Sequence, residues 1–389
     1  MGAQPFRIDV PDSVLSDLKR RLVDTRWPDE IADSGWTYGS NLGYLKELVE
    51  YWADGFDWRA QERHLNSMPQ FKAQVDRLGV HFGHIKGKGP SPFPLIMIHG
   101  WPGSFFEMYK VAGPLTDPAS HGGNPTDAFD LIVPSLPGYG FSDRPSAPGM
   151  NAVRVAEVFT NLMVTELGYE RFGAQGGDWG AVVCTALGGR HASHVAGIHL
   201  NMVTTRAVGE KGEDDSEAER AWQAESKAWM RDEAAYSRVQ GTKPQTLSYG
   251  LNDSPAGLAG WIVEKWRTWS DCAGDIESVY TKDELLTNIM IYWVTQTIGS
   301  SVRFYYENSR GQPLVPEGQR VEVPTGVAVF PKEIRRPPRK RVEQVYNVDR
   351  WTEMPRGGHF AAMEQPGLLV QDIREFFRPI RGSSTNRGA

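Results

Sequence analysis

Apolar positions change their period several times along this chain, and each change marks a new kind of element. Leu15, Leu18 and Leu22 recur at the three-to-four spacing of an amphipathic helix. Asp12 is a suitable N-cap for that helix, and its end is expected near Trp27-Pro28. A second helical pattern covers residues 42–52 and a third 57–66, after which 71–75 and 80–85 alternate as two strands. The first 90 residues therefore read as a helical arm with a hairpin, material for shape and support.

From residue 94 the pattern becomes that of buried strands joined by helices. LIMIHG at 95–100 is a short apolar run that stops at a glycine, and residues 130–142 form another that ends in a Pro/Gly-rich loop. With a helix near 105–111 between them they make a βαβ unit of a parallel sheet. A helix over 153–167, a strand opening FGAQGGDWGA at 172 and a strand over 195–200 continue the alternation. Strand signals then cease from 202 to 302, a helical stretch containing Trp222, Trp229, Trp261, Trp266, Trp269 and Trp293, which reads as an insertion capping the sheet. Strands return at 326–330 and 342–348, followed by a last helix over 367–377 and a tail, 381–389, expected to be disordered. The expected class is α/β: an N-terminal extension (1–90), a mostly parallel sheet in two parts (91–203 and 303–380) and a helical cap (204–302).

Charge narrows the partners. The 42 basic and 48 acidic residues are interspersed and sum to −6, which offers no footprint for nucleic acid or an anionic membrane. The basic run 332–341 is short, contains prolines and reads as a solvated loop. Only Cys184 and Cys272 are present, so neither a disulfide framework nor a cysteine metal site is expected, and Cys184 reads as a small buried residue. The N-terminal residues have no basic and apolar signal pattern, and no apolar run approaches the roughly 20 residues that span a bilayer. A cytoplasmic protein without cofactor or metal is the expectation.

The chemistry centres on Asp178. In Gly176-Gly177-Asp178-Trp179-Gly180 a strand turns sharply into a helix, with small residues from 181 towards 188. Such an elbow ordinarily exposes a serine at the top of a sheet, its flanking glycines avoiding a clash. A serine that attacked saturated carbon would form an ether, which stops turnover. A carboxylate instead forms an alkyl ester that the same site can hydrolyse. Strained or activated alkyl electrophiles, epoxides and haloalkanes first, are the substrates that fit.

Other residues fall into place around that carboxylate. The loop His99-Gly100-Trp101-Pro102-Gly103 follows the first strong strand, so the backbone N–H groups of Trp101 and Trp179 are expected to form an oxyanion hole, their rings lining the pocket. His99 is expected to be structural. His359, in a Gly-rich loop before the last helix, is the only one of nine histidines positioned to serve as base in the chain order nucleophile, acid, histidine. Glu333, directly after the strand GVAVFP, is the first choice for the acid that orients it, ahead of Asp349, Glu343 and Glu353.

Together, HGWPGS, GGDWG, the cap sequence GTKPQTLSYGLNDSPAGLAGWIVEKW, SSVRFYYEN, the FPKE strand end and PRGGHF resemble the microsomal-type epoxide hydrolases of the α/β-hydrolase fold. The likeness extends through the N-terminal region and so covers nearly the whole chain. It implies that Asp178 opens an epoxide to a covalent ester while two cap tyrosines, Tyr305 and Tyr236, bind the epoxide oxygen and supply a proton, and that His359, oriented by Glu333, activates the water that releases a vicinal diol. Tyr306 adjoins Tyr305 and is a pocket candidate that could exchange roles with it. The family's mammalian members carry an N-terminal membrane anchor with no counterpart here, so the resemblance implies a soluble bacterial relative. The small-molecule epoxide, bulky or aryl to suit an aromatic cap, is the expected partner; a homodimer is compatible, and both biosynthesis and detoxification fit. The rival readings are a haloalkane dehalogenase, with Trp179 binding halide, and a non-catalytic binding protein of the same fold.

Overall fold

The computed structural model describes residues 2–204 and 216–382, so the expected tail lies almost wholly outside the described residues. Among the described residues nine strands form one sheet: β1 (Gln4–Phe6), β2 (Gln70–Val75), β3 (Leu78–Ile85), β4 (Phe93–Ile98), β5 (Phe129–Pro134), β6 (Phe172–Gly176), β7 (Val195–Leu200), β8 (Val321–Val329) and β9 (Tyr346–Glu353). Their order across the sheet is β1-β2-β3-β5-β4-β6-β7-β8-β9. Pairing is antiparallel from β1 to β5 and parallel from β5 onward through β4 to β9. This is the α/β-hydrolase fold. Parallel strands covered by helices on both faces have no solvent-facing side, which is why β4, β6 and β7 are largely apolar and are buried nearly end to end.

Several boundaries move for local reasons. The first helix is Asp12–Val23: the capping position falls on Pro11, and Asp12 is drawn to the guanidinium of Arg59 instead of the first-turn amides. Its far end stops short of Trp27 because Asp24 and Thr25 close it, the Thr25 hydroxyl donating back to Arg21 O at 3.2 Å. The strand expected over 342–348 is displaced to β9, since Pro338 sets the entry to a short helix, Arg339–Glu343, that occupies its first residues. The short β1 carried no sequence signal.

Six helices of eight or more residues lie between β7 and β8 among the described residues: Glu217–Asp232, Ala235–Thr242, Pro244–Asp253, Pro255–Trp269, Lys282–Thr295 and Ile298–Ser309. The last runs unbroken across the boundary expected between 302 and 303. The N-terminal arm braces this cap directly: Ser40 donates to Gly260 O at 2.7 Å, Tyr51 to Asp283 at 2.8 Å and Arg21 to Asp253 O at 2.8 Å. The basic run is also less solvated than its composition suggests. Arg341 is buried, ion-paired with Glu219 of the cap and stacked 4.6 Å from the Trp222 ring, a combination that compensates the loss of water around its charge. Cys184 is buried as expected.

Candidate active site

The carboxyl ends of β4, β6, β8 and β9 meet on one edge of the sheet, and the candidate residues sit there. Asp178 is the first residue of the helix Asp178–Arg190, three residues earlier than the small-residue pattern suggested. Its φ of +46° is left-handed, a conformation that costs a residue other than glycine roughly 1–3 kcal/mol and survives only where its surroundings enforce it. Packing of the elbow on β4 supplies that enforcement: a Cβ at Gly180 would lie 1.9 Å from Ile98 O, so only glycine permits the approach. Asp178 Oδ1 accepts from the Trp101 amide at 2.8 Å, and Oδ2 lies 3.4 Å from His359 Nε2. The Trp179 amide belongs to the first turn of the same helix, where N–H groups have no intrahelical acceptor.

His359 Nδ1 lies 2.7 Å from Glu333 Oε1, and both side chains are 2% exposed. Burial works against the imidazolium, but the charges of Glu333 and Asp178 outweigh it, and the His359 pKa is raised well above its ordinary value. Of the other acid candidates, Asp349 and Glu353 are exposed, and Glu343 pairs with Arg339. The His359 loop is stitched to the end of the cap helix Pro255–Trp269. The His359 amide donates to Trp269 O at 2.9 Å and the Gly357 amide to Asp271 Oδ2 at 2.9 Å. Glu364 completes the seam by accepting from the amides of Asp271 (2.8 Å), Gly358 (2.9 Å) and Phe360 (2.9 Å). Burial raises the Glu364 pKa to about 7 against those amides.

Facing the elbow, the cap brings a cluster of aromatic rings. Tyr236 stacks on Trp101 with centroids 5.3 Å apart and planes 9° from parallel. Tyr305 meets Trp179 edge-on at 4.7 Å, Tyr236 at 5.8 Å and Trp101 at 5.8 Å. Trp269 is the cap tryptophan that reaches His359, at 5.1 Å. The Tyr305 hydroxyl is buried and makes no hydrogen bond of ordinary length to another described residue, although the Tyr236 hydroxyl is close enough to act on it. Burial raises the pKa of both phenols, followed by the charge of Asp178 at Tyr236 and by Tyr236 and then Asp178 at Tyr305, so they stay protonated at neutral pH. Tyr306 does not join them. Adjacent helical residues point about 100° apart, and its ring packs instead under the Arg310 guanidinium at 3.6 Å.

His99 is buried with both ring nitrogens engaged, Nε2 accepting from Leu136 N at 3.1 Å and Nδ1 lying 3.0 Å from Gly100 O. Burial lowers its pKa to about 4, so the ring is neutral. Two carboxyls at the site, the buried Glu107 and the half-buried Glu364, have no place in the sequence reading. Each directly follows an apolar run, Phe105-Phe106 and Ala361-Ala362-Met363, and that adjacency was the available signal. Burial pushes Glu107 up to about 8. Among the described residues no cluster of three or more His, Cys, Asp or Glu is arranged to hold a metal ion, and no helix is long and apolar enough to cross a membrane.

The comparisons with known proteins agree with one another. Residues 3–108 match the family described as epoxide hydrolase N terminus, and 94–238 match the family described as alpha/beta hydrolase fold. A Stigmatella aurantiaca protein provisionally named an epoxide hydrolase is 45% identical over 381 residues, 98% of this chain and 86% of that one. The chain belongs to the epoxide hydrolase family. Epoxide hydrolase 1 of Oryctolagus cuniculus is 42% identical, with 96% of this chain and 88% of the rabbit protein covered. Among solved structures, the juvenile hormone epoxide hydrolase of Bombyx mori superposes with a TM-score of 0.88 at 32% identity, over 98% of this chain and 96% of the silkworm chain. As a member of this family the protein is a hydrolase that acts on epoxides.

Proposed function

We propose that this epoxide hydrolase works in two steps through a covalent ester on Asp178. In the first, Asp178 Oδ2 attacks an epoxide carbon, the carbon–oxygen bond breaks, and Tyr305 and Tyr236 hydrogen-bond the departing oxygen and give it a proton. In the second, His359 Nε2 takes a proton from water, the water oxygen bonds to the Asp178 carboxyl carbon, and the oxyanion on Oδ1 is held by the Trp101 and Trp179 amides. Collapse expels the diol, whose oxygen takes the proton from His359, while Glu333 stabilises the imidazolium in between, and the second proton of the water, left on the Asp178 carboxyl, restores the tyrosine that gave up its own.

Tyr305 is the observation that carries this reading. A buried hydroxyl without a hydrogen-bond partner costs about 1–3 kcal/mol, and an epoxide oxygen held against Asp178 is an acceptor suited to it. A haloalkane offers no such acceptor. The rings of Trp101, Trp179, Phe304, Tyr236 and Trp269 around the nucleophile favour a bulky or aryl epoxide. A cytoplasmic location belongs to the same reading, supported by two free cysteines, and a homodimer is compatible with it.

The test is diol formation from styrene oxide by the wild type and by Asp178→Ala. The expected result is diol from the wild type alone. Diol from both would sink the covalent route, and chloride release from a chloroalkane without diol would move the protein to the dehalogenases.

A further inference from the structure

Beneath the Asp178 carboxyl lies a small cavity of about 20 Å³, with Glu107, Gln175, Asp178, Asn201 and His359 among its walls. A single water needs about 10–15 Å³ and two to four polar partners, so the space and its lining suit one water molecule. The hydrogen bonds already made divide these walls into two groups. Asp178 Oδ1 is engaged by the Trp101 amide, His359 Nδ1 by Glu333, and Asn201 Oδ1 accepts from Gln175 at 2.9 Å. Glu107 Oε1 and Gln175 Oε1, by contrast, are buried and meet no hydrogen-bond partner among the described residues.

Glu107 occupies this position because the loop before it makes room. A Cβ at Gly103 would fall 1.7 Å from Glu107 Oε1, so the last glycine of the His99–Gly103 loop clears the space into which the carboxyl folds back. The 3-10 turn Phe105–Met108, capped by Ser104 accepting from Phe106 N at 3.3 Å, then fixes the side chain at 9% exposure. A carboxyl buried to that degree, with one oxygen unpartnered, is costly to keep unless something polar meets it. The charges of both His359 and Asp178 act on it, which agrees with its place at the reacting centre.

We propose that Glu107 is a positioning residue that seats the hydrolytic water, its carboxyl hydrogen-bonding the molecule whose proton His359 removes. This rests on the reading that Asp178 forms an alkyl ester. In the step concerned, one O–H bond of the water breaks and its proton moves to His359 Nε2. The water oxygen bonds to the Asp178 carboxyl carbon, the bond from that carbon to Oδ2 breaks, and Oδ2, which leaves as the second hydroxyl of the diol, receives the proton from His359, the water oxygen replacing it in the carboxyl group. Glu107 ends the step with the protons it began with. Its contribution is orientation, and it belongs to ester hydrolysis alone, since no water takes part when the ester forms.

The experiment is single-turnover kinetics with styrene oxide on the wild type, Glu107→Gln and Glu107→Leu. Ester formation is followed by tryptophan fluorescence, for which Trp101 and Trp179 beside the nucleophile are reporters, and by the mass of the intact adduct; hydrolysis is followed as diol. In both variants ester formation is expected to stay within about threefold of the wild type while hydrolysis slows about 10- to 100-fold, the scale of losing orientation of a reactant. Adduct then accumulates, and kcat and KM fall together. Unchanged hydrolysis in both variants overturns the proposal, as does an equal loss in the two steps, which would mark a packing role. A wild type that forms neither adduct nor diol from any of a panel of aryl and alkyl epoxides removes the ester mechanism and this role with it, whereas an active wild type with unaltered variants removes Glu107 alone.

Discussion

The sheet-edge half and the cap half of the site are finished to different degrees. On the sheet edge, Asp178, His359 and Glu333 form a linked set: the Trp101 amide holds Oδ1, His359 stands 3.4 Å from Oδ2, and Glu333 holds the far side of the imidazole at 2.7 Å. On the cap, Tyr305 is surrounded by rings and its hydroxyl meets no described partner. The first half is preorganised around its own charges, and the second keeps its hydrogen-bonding capacity for a ligand. Electrostatic preorganisation suits a step in which charge develops at a fixed carbonyl. An unspent donor suits a step in which the oxygen arrives with the substrate.

Breaking the sheet half gives the largest effect. His359→Gln is expected to lower diol turnover about 10²- to 10⁴-fold, the scale of removing a general base, while the adduct still forms and can be seen by mass spectrometry. If adduct formation disappears as well, the two halves are not separable in the way described. Tyr305→Phe is the intermediate case and has the opposite signature. Ester formation is expected to slow about 10-fold or more for want of the proton donor, with hydrolysis of preformed ester unchanged in single-turnover measurements. Because the hydroxyl removed is buried without a described partner, thermal unfolding of this variant is expected at the same or a higher temperature. A clear drop would mean that the hydroxyl is satisfied within the protein. Tyr306→Phe is the smallest, with rates expected within about twofold of wild type, because helical geometry turns that ring away from the nucleophile. A loss matching that of Tyr305→Phe would return the donor role to it.

The two halves also differed in how far the chain disclosed them. Asp178, Glu333 and His359 were readable because an elbow fold dictates both their order and the strand ends they follow, constraints that are local in sequence. Tyr305 and Tyr236 could be named only through resemblance, since a tyrosine in a helix carries no local mark of a cavity above it. Glu107 and Glu364 escaped for a related reason: their placement is a tertiary fact, set by Gly103 in one case and by three converging amides in the other. Among the elements, β4 to β7 were legible from short, largely apolar runs. The start of β9 was not, because Pro338 gave the preceding residues to a helix. Arg341 looked solvated until a partner more than a hundred residues away, Glu219, came into view.

The seam joining Trp269 and Asp271 to the His359 loop bears on timing as well as on geometry. Cap and His359 loop are hydrogen-bonded to each other, so a cap that swung open would draw the imidazole away from Asp178 in the same motion. Under the proposed mechanism, water reaching an opened enzyme would then meet the ester without its base, and an ester exposed too early would be spared. Slow hydrogen–deuterium exchange should register this as one event, the amides of Asp271, Gly357 and Gly358 exchanging together. Separate rates would mean that the lid and the base keep different time.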